Sequence, residues 1–385
     1  TWVQTNIESK LLNEFKVNLS TYADISYRIL PAPHFLIKDS KILVSEGKVI
    51  KSIAEIKDLK IFLSQKNFFN KKKMNIKKVV INDANFSLLR SDLKLLNKYI
   101  SEKFSNKKIK IDNSNIFLKD NLGEVISIIK ADKTTLFFND KEQSNFLNLK
   151  GEIFNIPFTF DFQNRNDSIK YKKINFNSKS LKLNIFNKTK TKKNDFIIGE
   201  NIISLLNSTI NTKYSVKEKL IIFKSDNSRV NNSQVDYNGE LSINPFDLDL
   251  NIYFDNYKIS KLSSAHSIFT EFVKSELFFN DNISINTSIV FKSNSKNEFF
   301  QNAKINFHIV NGKINLNKTR LVNDDIGSLE FIKNDFFLKN KKLILNSDIL
   351  INIKNSDHLF SLLNTNKSSR KKFKNILINL DYDFL

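Results

Sequence analysis

Four histidines, His34, His266, His308 and His358, are the residues best suited to acid–base or metal chemistry, and they lie far apart in the chain. None stands at the i, i+4 spacing with an intervening Glu that a zinc-protease helix requires, so ordinary solvent-facing histidines are expected. Carboxylates pair at i, i+2 in Asp247/Asp249 and Asp381/Asp383. On a strand such a pair shares one face about 7 Å apart, a spacing compatible with glycosidase-type catalysis or a calcium site. Both pairs, however, fill the polar phase of amphipathic strands, which reads as a solvated face. No serine sits in a nucleophile elbow. With no cysteine there is no thiolate nucleophile or disulfide framework, and seven glycines leave no phosphate-cradling loop. The residues therefore predict no enzyme, no metal and no cofactor.

The elements that carry these residues are predominantly strands. Phe158, Phe160 and Phe162 alternate with polar neighbours, as do Leu181, Leu183 and Ile185, then Leu248, Leu250, Ile252 and Phe254. The same holds for Ile283 and Ile285, for Ile305, Phe307 and Ile309, for Ile314 and Leu316, and for Ile376, Ile378 and Leu380. Period two places one set of side chains on each sheet face, so each strand has a greasy and a wet side. Two Asn-Gly pairs, Asn238-Gly239 and Asn311-Gly312, predict hairpins through type I′ turns.

Helical spacing is confined to short stretches: Ile7 to Phe15; Leu93 to Phe104, with Ser91 or Asp92 as N-cap; and, less regularly, 202–206, 262–273 and 359–363. These are too few to roof the apolar face. The expected fold is mainly β, a long antiparallel curled sheet forming an apolar groove, with a few short helices. The expected organisation is a helix and first strands over 1–63 and an extended sheet over 64–385. Residues 188–195 and 364–372 read as loops rather than domain boundaries.

The 61 basic against 40 acidic residues give a net charge of +21, and aromatic Phe is abundant at 35 residues. The charge is dispersed in lysine runs such as Lys71 to Lys73, Lys107-Lys108, Lys172-Lys173 and Lys188 to Lys193. Such runs read as solvated turns and strand edges, and no nucleic-acid partner is expected. No run of eighteen apolar residues occurs, which excludes a transmembrane helix within the sequence.

Residues 7–63 combine the amphipathic helix, a strand-like stretch 23–29, the element Leu30-Pro31-Ala32-Pro33-His34, and the strands Phe35 to Ile42 and Ala54 to Ile61. Ile76 to Arg90, Ile109 to Ile116, Leu149-Lys150-Gly151 before Ile156-Pro157-Phe158, Tyr237 to Leu241 with Pro245, and Ala303 to Leu316 continue the pattern. The arrangement resembles the AsmA-like family of bacterial envelope proteins, related to TamB and to bridge-like lipid carriers. That resemblance implies a periplasmic protein tethered to the inner membrane of a Gram-negative bacterium, with phospholipids as partners and a part in lipid transport, outer-membrane biogenesis and envelope homeostasis. The family's anchoring helix is absent from this chain and is expected just upstream of Trp2.

Independent of the resemblance, an uncovered apolar face of many strands needs a second layer or a ligand. Ile109, Ile111, Phe158, Phe160, Phe162, Leu181, Leu183, Ile185, Leu248, Leu250, Ile252, Phe254, Ile283, Ile285, Ile305, Phe307, Ile309, Ile314, Leu316, Ile376, Ile378 and Leu380 are the candidate lining for lipid tails. A β-sandwich whose sheets cover each other is the structural alternative, and an outer-membrane barrel, disfavoured by its lysine-crowded polar phases, is a third.

Overall fold

The computed structural model describes residues 2–20, 24–46, 49–64, 75–92, 98–165, 170–192, 196–231, 233–243, 245–258, 283–294, 298–339 and 342–384. The protein is mainly β, with 24 strands assigned to a mixed sheet and few helices. Contacts cluster into two compact units, Thr1–Lys192 with Ile202–Leu206, and Lys193–Asn201 with Asn207–Leu385.

The first unit opens with α1 (Trp2–Phe15) and continues through β1 (Asn18–Ser20), β2 (Ile25–Arg28), β3 (His34–Glu46), β4 (Val49–Leu63) and β5 (Ile76–Leu89). After a crossover come β6 (Lys108–Lys119), β7 (Val125–Asn139), β8 (Ser144–Ile153), β9 (Ile156–Arg165), β10 (Tyr171–Ser178) and β11 (Leu183–Thr191). β1 and β2 share the outer edge of β3, and from β3 to β11 each strand pairs with the next. All these pairings are antiparallel except β5–β6. The expected all-antiparallel sheet is thus corrected to a mixed one, because β6 begins beside Lys78, at the starting end of β5, and runs the same way.

Alternation in this unit changes phase along one line. Asp39, Asp83 and Asn113 have φ of 52, 53 and 49° in the middle of β3, β5 and β6. They stand level with Lys57 of β4 and Asp132 of β7, where the ladders between β3 and β7 skip a pairing. Asp and Asn tolerate this left-handed backbone best among residues with a Cβ. One additional residue per strand moves the buried set from Ile37 to Ile42, from Leu59 to Ile56 and from Ile81 to Ala84 while neighbouring registers stay matched. β8 lacks the additional residue, and the β7–β8 register accordingly shifts between Ala131 and Lys133.

α1 places Ile7, Leu11 and Phe15 in one buried cluster with Ile37, Ala54, Ile56, Leu59, Ile61, Val79, Ile81 and Ile109. The helix therefore covers the apolar face of β3 to β6. The opposite face is mixed: Lys41–Glu55 at 2.9 Å and Lys130–Glu152 at 3.2 Å bridge neighbouring strands, while Leu36, Phe62 and Val80 are buried there near the start of β3.

β12 (Ile197–Leu205) replaces the helix expected near Ile202 to Leu206. The second unit continues with β13 (Ser208–Lys217), β14 (Leu220–Ser225), β15 (Ser228–Val230), β16 (Ser233–Ile243) and β17 (Phe246–Asp255). Then follow β18 (Ile283–Lys292), β19 (Asn302–Val310), β20 (Lys313–Asn315), β21 (Arg320–Asn323), β22 (Gly327–Lys339), β23 (Lys342–Ile353), α2 (Ser356–Leu362) and β24 (Asn375–Phe384). The unit repeats the topology of the first: antiparallel pairings with one parallel pair, β17–β18. Asn311 and Gly312 form the expected tight turn between β19 and β20, with φ of 49 and 66°. Asn238-Gly239 does not. It lies inside the continuous strand β16, where Gly239 faces Phe223 of β14.

Two strand pairs in this unit are broken, and a hydroxyl mends each break. Ser228 Oγ accepts from Asn211 N–H (2.9 Å) and donates to its carbonyl (3.0 Å) where β13 passes from β14 to β15. Thr319 Oγ1 does the same for Asn306 (3.0 and 3.2 Å) where β19 passes from β20 to β21. Each buried hydroxyl replaces the backbone groups that a regular ladder would supply.

Of the remaining helical expectations, α1 and α2 match Ile7–Phe15 and Leu359–Leu363. Residues 93–97 and 262–273 lie outside the described residues. Asp92 is buried in a 3-10 turn, accepting from Leu89 N–H (2.8 Å) and pairing with Lys51 (2.6 Å), and residues 98–101 of the expected second helix are helical.

Candidate functional site

Directly paired residues share a sheet face, so the registers show which side chains meet. In the first unit one line runs Phe35, Ile61, Val79, Ile109, Leu136, Leu147, Phe162 and Ile174 from β3 to β10. Beside it runs Ile37, Leu59, Ile81, Ile111, Thr134, Leu149, Phe160, Phe176 and Ile185, from β3 to β11. Phe158 stacks on Phe176 at 5.2 Å. The candidates of this unit thus fall on one face, but in two settings. Ile109 and Ile111 belong to the cluster under α1. Beyond β7, Phe158 and Phe162 are buried while Phe160, Leu183, Ile185 and their neighbours Leu147, Leu149, Ile174 and Phe176 are half-buried. Leu181 lies in the turn before β11 and is 41% exposed.

The end of this face is held by two asparagines. Asn145 accepts from Phe104 N–H (2.8 Å) and donates to the carbonyls of Ile100 (3.3 Å) and Glu102 (2.6 Å); Asn164 also donates to Ile100 (3.2 Å). The crossover segment is thereby tied across β8 and β9. Tyr99 of that segment reaches the Phe15 carbonyl at 3.4 Å, and burial, with the Glu102 carboxylate nearby, pushes its phenol up to about 12.

In the second unit a line of apolar residues runs Val216, Ile221, Leu241, Leu248, Ile285, Ile309, Ile314, Phe336, Leu345 and Tyr382 from β13 to β24. Parallel to it, Leu250 meets Phe307 through Thr287, Ile252 meets Ile305 through Ile289, and Phe246 pairs with Ile283. Phe254 stacks on Phe291 with ring centroids 4.8 Å apart. Ile309 and Ile314 are buried, at 0% and 2% exposure, with Phe336 and Leu345, and Leu316 packs against them. Leu248, Leu250, Ile252, Phe254, Ile283, Ile285, Ile305 and Phe307 are half-buried, as are Ile376 and Leu380, whereas Ile378 is 40% exposed.

Sequence periodicity missed Leu147 and Leu149 on β8 and Ile174 and Phe176 on β10, although each pair carries the i, i+2 signal. It also missed Phe336 and Leu345, which only the register brings beside Ile314.

The polar face offers no catalytic constellation among the described residues. No group of three or more His, Asp or Glu side chains is placed to hold a metal. His34 departs from the solvent-facing expectation: it is buried, donates Nδ1–H to the Ala32 carbonyl (2.7 Å) and stacks on Phe62 (5.0 Å). Asp249 accepts from Asn286 (2.8 Å), and Asp381 from Asn346 (2.7 Å), so these carboxylates serve the wet face. Lys41 holds Glu55 below its usual range by a hydrogen bond and by charge, and Asp226 raises Lys213 in the same way. A concavity of about 370 Å³ in the second unit has a mixed lining, with Lys224, Asp236, Asn238 and Asn251 beside Tyr253, Val290 and the candidate residue Ile252.

Comparison with family models, with curated proteins and with solved structures finds no match to the chain.

Proposed function

We propose that the protein is a non-enzymatic lipid-binding protein that takes phospholipid acyl chains on the apolar face of its sheet and passes them between the membranes of a bacterial envelope. The observation that carries this reading is the continuity of the apolar lines: charged residues are missing from the cross-strand rows, which run beyond the strands covered by α1 from β7 to β10 in the first unit and from β13 to β24 in the second. Such rows hold an alkyl chain at about 0.8 kcal/mol per buried CH₂ without directional contacts, which leaves the chain able to slide. The groove form of the sheet, the periplasmic location and an inner-membrane tether belong to the same proposal and rest on the resemblance to AsmA-like proteins.

Photo-reactive residues at Phe160 and Leu250, with mass spectrometry of the irradiated protein, test it. Lipid adducts at both positions are expected. Adducts formed only with segments of the protein itself, from a protein that carries no lipid on extraction, would overturn it.

A further inference from the structure

The lysine runs at 172–173 and 188–193 read in the sequence as solvated turns and strand edges, and the ladder puts part of them opposite one another. Lys173 of β10 and Lys188 of β11 are direct cross-strand partners, and both are half-buried. One step along, Tyr171 pairs with Arg165 on one side and with Lys190 on the other. Period two then sets Arg165, Lys173, Lys188 and Lys190 around Tyr171 on the polar face of three adjacent strands spaced about 4.8 Å apart. Lys170 and Lys192, both exposed, stand at the same end.

Like charges directly opposite are unfavourable in a sheet. Among the described residues the nearest carboxylates are held by neutral amides: Glu142 accepts from Gln163 (3.0 Å) and Asp161 from Asn148 (2.6 Å). Among the described residues, none of Lys170, Lys173, Lys188, Lys190 and Lys192 is within ion-pair distance of a carboxylate. An external anion would relieve that repulsion.

We infer that this end of β9–β11 is a docking surface for an anionic lipid bilayer, a role distinct from acyl-chain binding on the opposite face. Ammonium groups act as compact point charges and need no bidentate geometry, which suits a plane of lipid phosphates. Clusters of four to eight basic residues mark such attachment on juxtamembrane segments and amphipathic helices, and the same electrostatics acts on a basic sheet end. Single-stranded nucleic acid, the other polyanion, would need an open aromatic platform. Tyr171 does not provide one: Lys173 Nζ lies over its ring at 5.6 Å and its hydroxyl accepts from Gln163 at 2.7 Å.

Co-sedimentation of the full chain with vesicles of phosphatidylcholine alone, and of equal parts phosphatidylcholine and phosphatidylglycerol, tests the inference. Binding to the mixed vesicles, lost at high salt, is expected. The double substitution Lys173→Ala with Lys188→Ala should weaken it about 30-fold, at about fivefold per lysine. The exposed Lys190→Glu should weaken it without touching the middle of the ladder, and Lys304→Ala with Lys333→Ala in the second unit should leave it unchanged. Undiminished binding by both patch variants, equal binding to phosphatidylcholine alone, or full displacement from the vesicles by a single-stranded oligonucleotide would each overturn the inference. Lipid adducts at Phe160 should persist in the patch variants, so failure of this surface is separable from failure of the acyl-chain reading.

Discussion

Gly239 lies against the ring of Phe223: a Cβ at that position would stand 2.7 Å from Phe223 Cζ and would meet the Asp249 carbonyl oxygen as well. The glycine is therefore in β16 for the space it leaves to the β17 backbone and to an aromatic ring of β14, with no turn to make. Gly239→Ala should lower stability by about 1–3 kcal/mol, as overpacking does. Urea unfolding followed by fluorescence checks it, and an unchanged midpoint would mean that neither the ring nor the β17 backbone constrains this position.

Asn145 serves three backbone groups of the crossover at once. Asn145→Ala should leave the Phe104 N–H and the Glu102 carbonyl without partners, at about 1–3 kcal/mol for each group that stays buried. Amide exchange at Phe104 should accelerate well before exchange in β8 does. Uniform acceleration across the unit would show that the crossover is not separately anchored.

Thr319 and Asn306 give a sharper contrast. Thr319→Ser keeps the hydroxyl and should cost under about 1.5 kcal/mol, while the isosteric Thr319→Val removes both hydrogen bonds and should cost about 2–4 kcal/mol. Equal unfolding midpoints for the two variants would sink the reading of Thr319 as a ladder substitute.

Tyr99 sets an alkaline limit on the first unit. Its folded value of about 12 exceeds its ordinary value of 10.0, so the neutral phenol is favoured in the folded state. The stabilisation is complete below pH 10 and is lost as pH rises towards 12, amounting to roughly 2–3 kcal/mol. Tyr99→Phe should flatten that part of the stability profile, measured as the difference between the two proteins so that lysine titration cancels. Parallel profiles would contradict it.

Ile109 and Phe160 separate folding from binding. Ile109→Ala removes a residue 8% exposed in the cluster under α1 and should cost about 2–4 kcal/mol. Phe160→Ala, at a half-buried position, should cost less in thermal unfolding yet reduce lipid recovered with the protein. The reverse ranking would place Phe160 in the core and the bound lipid elsewhere.

Straight strands were legible in the sequence. β9, β17 and β19 keep one phase from end to end, so Phe158, Leu250 and Ile305 could be assigned to a face by counting. β3 to β7 were blurred because the left-handed Asx line moves the buried set by one residue, which makes Ile81 and Ala84 look out of step. The parallel pairs were invisible, since periodicity reports faces and not neighbours. β12 read as a helix because Ile202, Ile203, Leu205 and Leu206 are closely spaced, whereas in the strand its residues are half-buried on both sides. Which candidates lie under α1 and which lie beyond it depended on the register from β3 to β9, and no local pattern encodes that.

The shared line through Asp39, Lys57, Asp83, Asn113 and Asp132 also constrains how such a chain can change length. Losing one residue from β5 alone at Asp83 would turn the outer half of that strand inside out, sending Phe86 and Leu88 into water beside neighbours still in step. Gaps among descendants of this sequence should therefore collect in the connecting loops, or arrive as matched sets across all five strands.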